Sequence, residues 1–185
     1  MPEALRKFTP VMFLTLIVLI SVTLLILTEG FTGPVVERRL QQQVVDQMVD
    51  IFPNIVEHDY NEDIDIYTLY ADKEMTQKLG YAFLATAQGY SSTGISILVG
   101  LEDAQTVKGI IILSHSETPG MGSKAMEPAF LSQFTGIAIS DIAFEKDGGL
   151  INRDSVTGAT ISSSAIINAV KQTAMEKIAQ LEGAD

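Results

Sequence analysis

The sequence predicts an α+β fold: an N-terminal transmembrane helix, then one domain in which an antiparallel sheet is flanked by helices. Three observations carry this. No charged residue stands between Val11 and Thr28, in VMFLTLIVLISVTLLILT. Four strand-like segments separated by turn-forming residues lie between residues 66 and 116. Amphipathic helical patterns stand on either side of those segments. A chain of 185 residues has room for one ordinary domain plus an appendage.

The 18 uncharged residues give about 27 Å of helix at about 1.5 Å each, close to the ~30 Å hydrocarbon core of a bilayer. Phe8, Thr9 and Pro10 extend the stretch. A cleaved secretory signal also begins with basic residues such as Arg6 and Lys7, but its apolar core runs about 7 to 15 residues and ends at a small-x-small site. This run is longer and ends in LTEGFTG, so a retained transmembrane helix over 10–28 is expected behind a stub at 1–9. Arg6 and Lys7 before the helix are matched by Arg38 and Arg39 after it, so charge does not set the orientation. The arrangement expected is a single pass through the cell membrane, N-terminus cytoplasmic and domain extracytoplasmic.

Residues 29–34 (EGFTGP) read as a linker with a short breaker at Gly30 to Pro34. Pro34 opens VVERRLQQQVVDQMVDIF, where Val36, Leu40, Val44, Met48 and Phe52 recur at helical spacing up to Pro53. The domain is expected over 35–185. The acidic stretch PNIVEHDYNEDID (53–65) lacks the D-x-[DN]-x-[DN]-G pattern of a calcium loop and reads as a solvated loop.

Strands are predicted at IYTLYA (66–71), GYAFLATAQGY (80–90), GISILVGL (94–101) and TVKGIIILSHS (106–116), with EDAQ a turn between the last two. The prolines and glycines of ETPGMG predict a rigid, bent loop. A short helix follows around Pro128 to Phe134. The last helix runs from about Ser162 to Leu181, with Ile167, Val170, Ala174, Ile178 and Leu181 on one face and Gly183 ending it.

Composition excludes several chemistries. The formal net charge is -11, and it resides after residue 30, because Glu3 and Glu29 balance Arg6 and Lys7. That argues against nucleic acid as a partner, since phosphate neutralisation needs clustered Lys and Arg. Without cysteine there are no disulfides, thiolate nucleophiles, cysteine-ligated Fe–S clusters or cysteine zinc sites. Only His58 and His115 are available as imidazole ligands, so no metal site is expected. Any redox chemistry falls to an organic cofactor.

One stretch calls for explanation. DSVTGATISSS, Asp154 to Ser164, crowds six hydroxyl residues and a glycine into the entrance of the last helix. A capping role for Thr160 or Ser162 would use one of them. The chemical alternative is a phosphate site: a helix start presents unpaired N–H groups and partial positive charge, and Gly158 lets the backbone approach a ligand closely.

DSVTGAT with Ser162 and Ser163 resembles the flavinylation motif, roughly D-x-x-[ST]-G-A-T-x-[ST]-[ST], of the FMN-binding domain family with covalently attached flavin. That family includes the G subunit of the Rnf electron-transport complex and the C subunit of the sodium-translocating NADH:quinone oxidoreductase. HSETPGMG (115–122) resembles its second hallmark, H-x-E-T-P-G-[LM]-G, and FLSQFTG follows at a similar distance. With the anchor, the likeness covers nearly the whole chain, and its shortness favours the Rnf type. Met121 stands where leucine is usual, a swap of similar apolar volume.

The resemblance implies FMN esterified through its phosphate to Thr160 by a separate flavin transferase, which activates the hydroxyl and supplies the metal. It implies cofactor contacts from Thr157, Gly158, Ala159, Ser162 and Ser163 around the phosphate, with N–H and O–H donation from the helix start. Thr118, Met121 and Gly122 are expected beside the ring, Glu117 either as a hydrogen-bond partner of the flavin or a loop amide or as a carboxylate locking the Pro-Gly turn, and His115 as support for the loop. No residue is expected to be catalytic. The chain lacks a nicotinamide-binding glycine fingerprint, so the function implied is that of an electron-transfer subunit in a membrane complex, with other membrane subunits as partners and lipid around its anchor. The alternatives are an anchored FMN domain donating electrons to an extracytoplasmic reductase, and a non-redox surface binding module in which TGATISSS only caps a helix.

Overall fold

The computed structural model describes residues 3–152 and 156–183, without the side chains of 3–11 and 29–41. Asp154 and Ser155 of the motif, and Met1 and Pro2 of the expected stub, lie outside the described residues. The chain forms two compact units, residues 1–43 and 44–185.

The first unit is a single helix, the bulk of α1 (Glu3–Ile51). The breaker expected at Gly30 to Pro34 is absent, and helical backbone continues through it. An interior proline costs about 3 kcal/mol and a glycine about 1 kcal/mol. Long helical runs on both sides overcome such local costs, because each residue added to an existing helix gains a backbone hydrogen bond. The second unit starts at Val44.

From Met12 to Leu27 the apolar side chains of α1 are exposed, Met12 at 71% and Leu25 at 68%. Two threonines of the stretch bond within the helix: Thr23 Oγ1 donates to the Leu19 carbonyl at 2.7 Å and Thr28 Oγ1 to that of Leu25 at 2.8 Å. Among the described residues no helix is long and apolar enough to cross a membrane.

The second unit is built on a five-stranded antiparallel meander: β1 (Glu57–Asn61), β2 (Ile66–Tyr70), β3 (Lys78–Ala87), β4 (Ile95–Leu101) and β5 (Val107–His115), in that spatial order. Four strands fall where the alternation predicts. β1 corrects the reading of 53–65 as a loop: Glu57 pairs with Tyr70 and Asn61 with Ile66. Its acidic composition hid it. What holds it is Tyr60, whose ring stacks on Tyr67 at 4.5 Å. The EDAQ turn forms as predicted, with Asp103 Oδ1 accepting N–H bonds from Gln105 and Thr106 at 2.8 and 2.7 Å.

Both faces of the sheet are covered, which explains its apolar runs. On one face, Val44, Met48, Ile51 and Phe52 at the end of α1 and just beyond pack against Tyr67, Leu69, Ala82 and Leu98. Glycines make this fit possible. A Cβ on Gly100 would stand 2.7 Å from Ile51 Cγ2 and 2.8 Å from Phe52 Cε2, and Gly100 pairs with Gly109 on β5. On the other face, Phe83, Ala85, Ile95, Ile97 and Val99 meet the segment after β5 and the last helix, α3 (Thr160–Glu182).

The segment after β5 contains a 3-10 turn at Gly122–Met126, the short helix α2 (Pro128–Leu131) and a further turn through Phe134. Phe130 and Phe134, both fully buried, meet edge to face at 5.5 Å. α3 starts at Thr160, earlier than predicted, and buries Ser162, Ser163, Ile166, Ile167, Val170 and Ala174. Ile178 and Leu181 are only partly buried, so the buried face lies further toward the N-terminus than the apolar pattern suggests. Near the other end of α3, Lys177 Nζ donates to the Ile64 carbonyl at 2.5 Å and lies 3.9 Å from Asp65 Oδ2.

Candidate functional site

Three chain segments meet at one end of the sheet. After β3 the chain turns through Gly89, Tyr90 and Ser91; after β5 it enters the ETPGMG loop; and Gly158 and Ala159 lead into α3. Between them lies a cleft of about 490 Å³, walled by Tyr90, by Thr118, Met121 and Gly122, and by residues 158–162. Its lip is apolar and open: Tyr90, Met121 and Ile161 are 72%, 60% and 58% exposed.

The loop is shaped by its own residues. Pro119 and Gly120 occupy the middle of a type II turn: Gly120 has φ +77°, and the Met121 N–H donates to the Thr118 carbonyl at 3.2 Å. The Gly120 N–H is held by Ser123 Oγ at 2.9 Å.

Glu117 ties the three segments together. It is 5% exposed. Its Oε1 accepts the Ser91 N–H at 3.0 Å and its Oε2 accepts the Ser162 hydroxyl at 2.6 Å. Two glycines make room for it: a Cβ on Gly89 would stand 2.4 Å from Oε1, and one on Gly122 would stand 2.1 Å from Oε2. Burial pushes the carboxyl up, but the hydrogen bonds from Ser162, Ser91 and Tyr90, with the nearby His115, outweigh it and hold the group below its ordinary value. The Glu117 N–H donates to His115 Nδ1 at 3.3 Å, so His115 does support the loop, as expected.

The start of α3 is not a hydroxyl cap. Ala159 occupies the N-cap position and has no side chain able to bond the first turn. The Ser162 hydroxyl points to Glu117, and that of Ser163 donates to the Ala159 carbonyl at 2.9 Å. This overturns the capping reading of Thr160 and Ser162. The Ser162 and Ser163 hydroxyls are thus engaged by Glu117 and the Ala159 carbonyl, and the positive end of the helix dipole lies beside them. Gly158, at φ +90°, has nothing within 4 Å of where a Cβ would stand, so its face is clear for close approach. Lys124 Nζ donates to the Thr157 carbonyl at 3.3 Å, bringing a positive charge beside the motif.

Of the residues singled out in the sequence, Thr118, Met121, Gly122, Gly158, Ala159, Thr160 and Ser162 line the cleft. Glu117 stands behind its wall, Ser163 is fully buried in the core, and Thr157 contributes its carbonyl to Lys124. Tyr90 and Ile161 also line the cleft and were not foreseen. The signal for Tyr90 was an aromatic residue set in QGYSSTG, where no packing role for it is evident.

Residues 89–174 match the family model described as "FMN-binding domain", a stretch that contains both the ETPGMG loop and the start of α3. Curated relatives are named as the G subunit of an ion-translocating oxidoreductase complex. The one from Haemophilus influenzae is 33% identical over 152 residues, 75% of this chain and 71% of that protein. The one from Pseudoalteromonas atlantica is 30% identical over 184 residues, 89% of this chain and 85% of that protein. For the relative from Methanosarcina acetivorans, identity is 37% over 90 residues, and the match spans about half of it, 46%. The crystal structure of Shewanella oneidensis NqrC is a loose likeness, with a TM-score of 0.46 and 20% identity over 69% of this chain and 72% of that one.

The segment that supplies the cleft is thus similar to an FMN-binding domain. Within that class, the chain belongs to the G-subunit family of ion-translocating oxidoreductase complexes.

Proposed function

We propose that the chain is a membrane-anchored electron-transfer subunit of an Rnf-type ion-translocating complex, carrying FMN joined by a phosphodiester to Thr160. One observation carries the reading: Thr160, the first residue of α3, shares a cleft wall with Gly158 and faces the ETPGMG loop. The residues fit the group. The volume lies within the range of about 300 to 1,000 Å³ usual for cofactor clefts. The clear face of Gly158 and the positive end of α3 suit a phosphate, and the apolar lip of Tyr90, Met121 and Ile161 suits an aromatic ring.

In attachment, the Thr160 oxygen gives up its proton to a base of the flavin transferase and bonds to the FMN-side phosphorus of FAD, and AMP departs. Bound FMN supplies reversible acceptance of one or two electrons. The chain's own residues hold and shield. The first turn of α3 faces the remaining negative charge, worth about 0.3 to 1 kcal/mol where exposed. Thr118, Met121 and Gly122 form a rigid wall fixed by the Pro119–Gly120 turn, and Glu117 locks that wall to α3. The exposed apolar stretch at 12–28, lengthened by Val11 and Pro10, supplies the anchor, with the FMN domain on the extracytoplasmic side.

Intact mass of protein made in its own host tests the reading. One FMN is expected, mapped to the peptide containing Thr160, and absent in Thr160→Ala. A bare peptide in the native protein refutes it. Co-purification with polytopic membrane subunits distinguishes membership of a complex from an anchored domain acting outside one.

A further inference from the structure

The entrance of α3 offers an anion fewer donors than its six hydroxyl residues suggest. Ser162 and Ser163 turn their hydroxyl hydrogens toward Glu117 and Ala159. What attracts negative charge is the positive end of α3, helped by Lys124 at the Thr157 carbonyl. Against these stands Glu117. Both its oxygens accept hydrogen bonds, the pattern that favours an ionised carboxylate, and among the described residues no Lys or Arg forms an ion pair with it. It sits directly behind Gly122 and Ser162, two residues of the cleft wall, and Ser162 is two positions from Thr160.

Resting on the flavin reading above, we infer that Glu117 is a charge-selecting residue, whose buried carboxylate admits the singly charged phosphodiester at Thr160 and disfavours the doubly charged phosphate of free FMN. A phosphate monoester carries about 1.5 to 2 negative charges at neutral pH, whereas a diester carries one. The added charge meets a fixed anion that is itself buried, so their repulsion is screened less than that between two exposed charges. Loose FMN is thereby kept from blocking Thr160 before attachment, and the tethered form meets less repulsion. Among the described residues, His115, which accepts the Glu117 N–H, Lys124 and Tyr90 of the cleft wall are the other charged or titratable groups facing this region, and none changes between the variants compared below.

The test uses the full chain in detergent, produced without flavin transferase so that Thr160 is bare, at pH 8. Three probes are titrated by flavin fluorescence: riboflavin (uncharged), the methyl phosphodiester of riboflavin (one charge) and FMN (two charges). The wild type binds the methyl ester about tenfold more tightly than FMN, a difference of the size expected for one extra charge near a buried anion. Glu117→Gln brings the methyl ester and FMN to within about twofold of each other, whatever common change the altered clamp makes to the binding of all three probes. A variant that alters all three probes alike shows a structural role and overturns the inference. Wild-type binding of FMN as tightly as the methyl ester also overturns it, and needs no variant to fold. Binding of none of the three would instead bring down the flavin reading itself.

Discussion

Gln133 and Asn152 grip each other across the surface of the domain. The Asn152 N–H donates to Gln133 Oε1 at 2.6 Å, and Gln133 Nε2 donates back to the Asn152 carbonyl at 3.5 Å and to that of Ala129 at 3.3 Å. The glutamine of FLSQFTG thus secures the chain just ahead of the SVTGAT stretch, while Phe130 and Phe134 on either side of it lock into the core. Gln133→Ala is expected to lower stability by about 1 kcal/mol in urea unfolding, the size of a short side-chain hydrogen bond. Flavin attachment measured by intact mass should fall as well, because the segment leading to Thr160 loses its tie.

The glycines of the site separate into two kinds. Gly122→Ala places a methyl group against the Glu117 carboxylate and Ser162 Oγ. It should cost roughly 2 to 3 kcal/mol by overpacking and by displacing a buried, hydrogen-bonded charge. Gly158→Ala meets no atom and is strained only by its φ of +90°, so about 1 kcal/mol is expected. Paired urea unfolding curves check the order, and a larger loss at Gly158 would contradict the geometry.

Acid should weaken the Glu117 clamp. The folded carboxyl lies below its ordinary value of 4.5, so its contribution is fully present above about that pH and is lost as the pH falls through the folded value. The stability gap between wild type and Glu117→Gln should therefore be constant near neutrality and shrink below about pH 4.5. Asp72 and Asp103, which loop hydrogen bonds also hold low, are present in both proteins and cancel in the comparison. Urea midpoints across the acid range provide the measurement.

Base should loosen the β1–β2 corner. The Tyr60 hydroxyl donates to Asp65 Oδ1 at 2.8 Å, and that bond, followed by burial and the carboxylate charge, pushes the phenol up to about 12. A folded value raised above 10.0 means stability that is intact below pH 10.0 and declines as the pH rises toward 12. Tyr60→Phe should show a shallower alkaline decline in urea midpoints. Tyr67, also raised, remains in both proteins.

Local patterns in the sequence resolved most of this architecture. Alternation located β2 through β5, and Pro-Gly chemistry located the ETPGMG turn. Elements that depend on tertiary partners were hidden. β1 has an acidic sequence and is revealed by its pairing with β2 and the Tyr60–Tyr67 stack. α1 passes through glycines and a proline that locally argue for a break. At the site, motif and cleft coincide for seven residues, but the destination of the Ser162 hydroxyl depends on Glu117, 45 residues away in the chain. No periodicity encodes that meeting.

The open lip formed by Tyr90, Met121 and Ile161 has a kinetic corollary. Whatever lodges in the cleft is not sealed off, so a visiting protein can bring its own redox centre close without first prying a lid apart. Exchange at this face would then be paced by how near a neighbouring protein holds its own centre to the rim. Thickening the rim with bulkier side chains should slow exchange with large partners more than with small soluble dyes.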